Sequence, residues 1–130
     1  MGTGVLLITH ATVGQALIDA ARHVMPQLPL KTLAMEVPAD ADIDAMRRLT
    51  ARHVRELDDG DGVLVMSDLY GATPCNLGLQ ASDLGAPVRC VSGLNLPMLL
   101  RVMNYADKTL DELAEIAAAG GRGGIFIDHA

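Results

Sequence analysis

The chain has 130 residues, which is the size of one ordinary domain, and half of them are hydrophobic. These hydrophobic residues are almost all aliphatic, with one Phe, two Tyr and no Trp, so the chain lacks the aromatic platforms on which single-stranded nucleic acids stack. Sixteen acidic against ten basic residues give a formal net charge of −6, which argues against a nucleic acid partner.

Strand-like and helix-like segments alternate from the start of the chain. Residues 4–9 form a continuous apolar run, which is typical of a strand buried on both faces. Apolar residues at helical spacing predict a helix over residues 13–25, and two prolines follow it. Residues 30–37 predict a second strand, which we place nearer a sheet edge because two charged residues interrupt it.

The alternation continues to the end of the chain. A helix is predicted over residues 43–57, capped by Asp40 or Asp42. The later elements are a strand over 62–67, a helix from Pro74 to about Leu84, a strand over 88–92, a helix over 97–104, a helix from the capping box of Thr109 and Glu112 to about Ala119, a glycine hinge over 120–124 and a short final strand over 125–127. No linker divides the chain, so we expect residues 1–130 to form one domain.

This order of elements predicts an α/β fold with an open, mostly parallel sheet and helices on both faces. In such sheets ligands bind at the carboxyl ends of the strands, where the winding reverses. With the strand order 2-1-3-4, the first and third strands are neighbours at that point. His10, after the first strand, would then face Asp68, after the third.

The sequence also predicts the cellular compartment of the protein. No apolar run approaches the roughly 18–20 residues that span a bilayer, and the N-terminus lacks the features of a signal peptide. Cys75 and Cys90 are the only cysteines, and their spacing fits neither a metal site nor a disulfide framework. We therefore expect a cytoplasmic protein with two reduced thiols.

His10 and Asp68 are the candidates for chemistry. A histidine directly after a buried strand is held rigidly and can act as a nucleophile, a base or a ligand, or can be an ordinary loop residue. An aspartate that accepts a hydrogen bond from one ring nitrogen would leave the other nitrogen free to attack. Taken alone, Asp68 also fits a helix cap or a turn.

The starts of two predicted helices add anion-binding groups to the same edge. Gly71 and Thr73 lie just before the helix that begins at Pro74, and Asn95 lies at the entry of the next helix. Free backbone N–H groups at helix starts attract phosphate. Together with a histidine and an aspartate, these groups favour phosphoryl transfer, in which positioning and charge stabilisation do most of the work.

Cys75 offers a second chemistry. It falls in the first turn of a helix, where the pKa of a thiol can decrease, and His10 could serve as its base. A cysteine hydrolase is therefore an alternative, and a packed cysteine explains the residue equally well.

The chain resembles the enzyme IIA component of the mannose-type phosphoenolpyruvate:sugar phosphotransferase system, or PTS. The likeness covers essentially the whole chain. It rests on the strand ending in Thr9-His10, on the segment from Gly62 to Asn76 and on the segment from Gly93 to Leu99. The two longer segments, each including a strand or following one, are the specific part of the match.

The resemblance implies a phosphohistidine relay for sugar uptake. His10 would accept a phosphoryl group from the carrier protein HPr and pass it to an enzyme IIB, with Asp68 hydrogen bonded to the ring. The family also implies a homodimer that exchanges a C-terminal strand, which here would be residues 125–127. It implies neither a metal nor a nucleotide, and contact with a membrane only through a permease complex.

Two departures and two alternatives accompany the resemblance. The family often has glycine where this chain has Ala11 and Ala72, which leaves the local backbone open. The phosphotransfer subunit of dihydroxyacetone kinase shares the fold and an early histidine. A flavodoxin-like regulatory module would instead use Asp68 as the phosphoryl acceptor. For a donor protein, the expected docking patch is Leu69, Tyr70, Leu94 and Met98.

Overall fold

The computed structural model describes residues 2–81 and 85–129. These residues form four strands and five helices that alternate as the sequence predicts. In chain order they are β1 Gly4–His10, α1 Val13–Val24, β2 Thr32–Val37, α2 Ile43–Leu57, β3 Val63–Ser67, α3 Thr73–Gln80, β4 Val88–Ser92, α4 Leu96–Asn104 and α5 Leu110–Gly123. The predicted end of the third helix, near Leu84, lies outside the described residues.

The four strands form one parallel sheet in the order β2-β1-β3-β4, which confirms the predicted order. Strand β2 lies at one edge, as its interrupting charged residues indicate, and β4 lies at the other. Strands β1 and β3 pair in the centre with Ile8 beside Ser67. Strand β3 ends at Ser67 and β1 continues to His10, so both strands end at the same edge of the sheet.

Helices cover both faces of this sheet, as predicted. Helices α1, α4 and α5 pack on one face, and their core includes Ile18, Leu99 and Leu113. Helices α2 and α3 pack on the other face around Val54 and Leu77. Strands β1 and β3 are buried on both faces, which explains why their sequences are continuous apolar runs. Within the described residues, no helix is long and apolar enough to cross a membrane.

Side-chain caps fix the starts of the two longest helices. Asp42, rather than Asp40, caps α2, and its carboxylate accepts the N–H groups of Asp44 and Ala45. Thr109 and Glu112 form the predicted capping box at the start of α5. These caps satisfy N–H groups that have no partner inside their helix.

The prediction of a glycine hinge after Ala119 is wrong. Helix α5 continues through the glycines to Gly123. A Cβ on Gly120 would lie 2.6 Å from the Cβ of Arg101, and a Cβ on Gly121 would lie 2.9 Å from Cε of Met98. Only glycine lets α5 approach α4 this closely, and the packing offsets the low helix propensity of glycine.

Residues 125–127 form no strand in the single chain, and their predicted exchange in a dimer stays a prediction. Residues 125–127 follow α5 in an irregular conformation, and Ile125, Phe126 and Ile127 are 72%, 80% and 82% exposed. A strand needs a neighbouring strand to pair with, and none of the described residues supplies one here.

Candidate functional site

His10 and Asp68 meet at the carboxyl edge of the sheet, as the predicted strand order requires. His10 ends β1, and Asp68 follows the last residue of β3. Nδ1 of His10 lies 2.9 Å from Oδ2 of Asp68, and the backbone N–H of His10 donates to the same oxygen at 3.1 Å. One carboxylate oxygen therefore holds both the backbone and the ring of the histidine.

This contact determines which ring nitrogen is available. A carboxylate accepts hydrogen bonds, so the neutral ring carries its proton on Nδ1 and keeps a lone pair on Nε2. The side chain of His10 is 50% exposed, whereas that of Asp68 is 15% exposed. The pair thus consists of a largely buried carboxylate and a half-exposed imidazole with a free lone pair on Nε2.

The second oxygen of Asp68 has no direct partner. Oδ1 is buried and forms no hydrogen bond with the described residues. The two N–H groups of His10 are therefore the main compensation for the desolvated carboxylate. A positive charge on the imidazole ring would be favourable beside this carboxylate.

Thr73 lies beside the histidine, as predicted. A shallow cavity of about 180 Å³ opens next to His10, and Thr73 and Pro74 at the start of α3 form part of its wall. Other lining residues come from the end of β2 to the start of α2, including Pro38 and Ile43. The sequence does not single out these lining residues, because they are apolar and carry no chemical signal.

Gly71 adopts a conformation that favours glycine, with φ of +82°. The predicted role of Gly71 as an anion donor stays a prediction.

The Cys75 sulfur is part of a buried polar network. It lies 3.3 Å from Oγ of Ser92, and Ser67 donates to the same Ser92 oxygen at 3.2 Å. Burial disfavours the thiolate, but hydrogen bonds from Ser92, from the Gly71 backbone and from Ser67 lower the pKa of the Cys75 thiol below its ordinary value. Burial, followed by the charge of Cys75, raises the pKa of the Cys90 thiol to about 11.

This network bears on the cysteine hydrolase alternative. Cys75 is 2% exposed, and its sulfur contacts the hydroxyl of Ser92 rather than His10. A nucleophile needs both access and a base within hydrogen-bond distance. The arrangement favours a structural role for the thiol.

Asn95 has a structural role that the sequence did not indicate. Its Oδ1 accepts the N–H of Met98 at 2.9 Å and caps α4, while its Nδ2 donates to the carbonyl of Gly121 at 3.1 Å. Asn95 lines a separate depression against α5, not the cavity beside His10. The amide therefore ties α4 to α5, and its predicted contact with an anion stays untested.

Only two of the four residues predicted for the docking patch are exposed. Leu69 and Tyr70, which directly follow Asp68 in the chain, are 59% and 81% exposed. Leu94 and Met98 are buried in the core on the α4 face, so their prediction as surface residues is wrong. Both face inward because α4 packs directly against α5 and the sheet.

Ala11 and Ala72 are compatible with the loop conformations. Among the described residues, only glycines have positive φ. Ala72 is the N-cap of α3, with an extended φ of −80°. Alanine can adopt these conformations without the steric cost that would require glycine.

Comparison with known proteins agrees with this fold. A parallel α/β sheet with a histidine and an aspartate at its central carboxyl edge is what the resemblance to the mannose-type enzyme IIA predicted. Residues 4–118 match the family EIIA-man, described as the PTS system fructose IIA component. The chain belongs to this family of phosphotransferase system proteins.

A curated relative and two solved structures are also similar. The PTS system mannose-specific EIIAB component of Escherichia coli (strain K12) is 24% identical over 127 residues, which are 96% of this chain and 39% of that protein. The chain thus spans well under half the length of this relative.

Both structures are IIA components. One is the mannose/sorbose specific IIA subunit from Enterococcus faecalis, with a TM-score of 0.88 and 23% identity, covering 100% of this chain and 97% of that one. The other is the phosphotransferase system component EIIA from Streptococcus agalactiae, with a TM-score of 0.85 and 20% identity, covering 96% of each chain. They show that the fold of this chain is that of IIA components.

Proposed function

We propose that the protein is a phosphohistidine carrier of the phosphoenolpyruvate-dependent PTS. In this proposal Nε2 of His10 accepts a phosphoryl group from phospho-HPr and passes it to an enzyme IIB. The observation that carries the proposal is the 2.9 Å contact between Nδ1 of His10 and Asp68, which leaves Nε2 free beside an open cavity.

The transfer proceeds by in-line displacement at phosphorus. The lone pair of Nε2 forms the new N–P bond, while the N–P bond of the donor phosphohistidine breaks and its electron pair returns to the donor ring. The proton on Nδ1 stays in the hydrogen bond to Asp68. The positive charge that develops on the His10 ring is stabilised by the partly buried carboxylate.

The start of α3 is the proposed binding site for the phosphoryl oxygens. Thr73 borders the cavity beside His10, and the helix presents the positive end of its dipole there. In this proposal the hydroxyl of Thr73 donates to one phosphoryl oxygen, and N–H groups of the first turn contact the others.

The acceptor and the biological role follow from the family. The relative from Escherichia coli carries IIA and IIB in its name, whereas the present chain matches 39% of it. We infer that the acceptor is an enzyme IIB and that the transfer takes place in the cytoplasm. The relay then serves either sugar uptake or regulation by the phosphorylation state.

The exposed C-terminal segment supports a homodimer. Strand β4 lies at the sheet edge, and its outer backbone groups are open to a further strand. Residues 125–127 are Ile, Phe and Ile, which favour strands, and they are exposed in the single chain. We propose that this segment pairs with the sheet of a second copy.

Phosphorylation of the purified chain tests the carrier function. Phosphoenolpyruvate, enzyme I and HPr should label the wild type on one histidine, and His10→Ala should take no label. The phosphoryl group should be labile in acid and stable in alkali, as expected of phosphohistidine. His23→Ala, which removes an exposed histidine of α1, is the matched control and should label like the wild type.

Two results would contradict the proposal. One is an unlabelled wild type when the same donor labels another IIA component. The other is full labelling of His10→Ala, which would place the phosphoryl group on a different residue.

A further inference from the structure

We propose that Thr9 is a positioning residue for His10, because its buried hydroxyl fixes the backbone that carries the imidazole. The inference rests on the proposed carrier function and deepens it. Thr9 is 0% exposed, although it is polar and lies in the central strand. A fully buried hydroxyl is retained at a cost unless its hydrogen bonds are satisfied.

The Thr9 hydroxyl acts both as a hydrogen-bond donor and as an acceptor. Oγ1 of Thr9 donates to the carbonyl of His10 at 2.9 Å and accepts the N–H of Gly14 at 2.8 Å. One side chain thus links the residue that ends β1 to the first turn of α1. In the sequence, Thr9 stands out only as part of the Thr-His motif, since spacing cannot show where a hydroxyl forms hydrogen bonds.

The N-cap residue of α1 does not cap the helix with its side chain. Thr12 occupies the N-cap position but makes no side-chain cap hydrogen bond. Thr9 caps the helix instead, from the end of the strand. A Cβ on Gly14 would lie 3.0 Å from Oγ1 of Thr9, so the absence of a side chain lets the two groups meet.

The Thr9 hydroxyl and the Asp68 carboxylate bind different groups of His10. Asp68 holds the backbone N–H and Nδ1 of His10, and Thr9 holds its carbonyl. Without the hydroxyl, the carbonyl loses its donor and the start of α1 loses its cap. The backbone at His10 can then rotate, and the ring loses its alignment with Asp68. In-line transfer is sensitive to displacements of about 1 Å.

The test compares two buried threonines. Thr9→Val removes the hydroxyl and keeps the shape of the side chain. Thr50→Val is the matched control, because Thr50 is 2% exposed, lies on α2 and donates its hydroxyl to the Met46 carbonyl at 2.8 Å. Each variant loses the hydrogen bonds of one buried hydroxyl. Unfolding curves of the two variants therefore allow their losses of stability to be compared.

Single-turnover phosphorylation by phospho-HPr gives the first readout. We expect Thr9→Val to slow transfer at saturating donor by roughly ten- to a hundred-fold, with the half-saturating donor concentration unchanged. Thr50→Val should stay within about two-fold of the wild type, as distant sites are independent. Thr9→Ser restores the hydroxyl and should recover most of the rate.

Nitrogen chemical shifts of the His10 ring give a readout that needs no donor. The wild type and Thr50→Val should show the neutral ring protonated on Nδ1, whereas Thr9→Val should show a mixture of the two tautomers. The proposal is overturned if Thr9→Val keeps the wild-type tautomer, keeps the wild-type rate or is slowed no more than Thr50→Val. An unlabelled wild type would instead refute the carrier function, and the ring spectra would still decide the role of Thr9.

Discussion

His10 is restrained by the same carboxylate oxygen through its ring and its backbone. Oδ2 of Asp68 accepts from Nδ1 at 2.9 Å and from the backbone N–H at 3.1 Å. Removing Asp68 would therefore leave both the tautomer and the position of the ring unrestrained. A hydrogen bond to the ring alone would control only the tautomer.

Asp68→Ala should slow phosphoryl transfer without abolishing it. We expect a decrease of about ten- to a thousand-fold, because the ring loses its orienting partner and the charge that stabilises it while Nε2 remains. Rapid-quench measurement of the phosphorylated fraction with time checks this.

Asp111→Ala is the matched control for the change in charge. Asp111 pairs with Arg89 at 2.8 Å, and its side chain is 73% exposed. Exposed pairs of this kind contribute little to stability, about 0–1 kcal/mol. Equal rates for Asp68→Ala and Asp111→Ala would show that Asp68 has no role in the transfer.

At the scale of elements, the close packing of α5 on α4 depends on particular glycines. Gly120 is buried against Arg101, whereas a Cβ on Gly123, three residues later in the same helix, would meet no atom within 4 Å. Alanine has the higher helix propensity at both positions. Alanine substitutions at these two glycines therefore distinguish the effect of close packing from the effect of helix propensity within one helix.

Gly120→Ala should destabilise the protein by about 1–3 kcal/mol, since the added methyl group has no space. Gly123→Ala should be neutral or stabilising by up to about 1 kcal/mol, because it gains propensity at no steric cost. Urea unfolding of both variants measures the difference. If Gly120→Ala were as stable as Gly123→Ala, the described contact between α4 and α5 would be wrong.

At the scale of the whole molecule, the exposed C-terminal segment is the feature that a single chain leaves unexplained. Three large apolar side chains in succession are more than 70% exposed, beside a sheet with an open edge at β4. Contiguous exposed apolar surface of this kind marks an interaction site in many proteins.

Phe126→Ser should therefore weaken the proposed homodimer. Sedimentation velocity over a series of concentrations should show a shift towards the monomer, since the central apolar side chain of the exchanged segment is lost. Val24→Ser is the control, because Val24 is 62% exposed at the end of α1 and belongs to no proposed interface. A Phe126→Ser protein with unaltered association would argue against strand exchange.

The sequence by itself determined the fold class, the strand order and the meeting of His10 with Asp68. These features depend on hydrophobic period and chain order, because alternating strands and helices fold into parallel sheets whose carboxyl ends share one edge. The start of α3 beside His10 follows from the same rule.

Only the tertiary structure decided the outcomes that depend on neighbours distant in sequence. The local sequence after Ala119 predicts a glycine hinge, but the contact of these glycines with α4 makes them helical. Asn95 and Met98 are turned towards the core and α5 by packing, and Thr9 gains its role from a hydrogen bond across a loop. Spacing specifies which residues reach an edge of the sheet, whereas the direction of each side chain depends on the surfaces that pack against it.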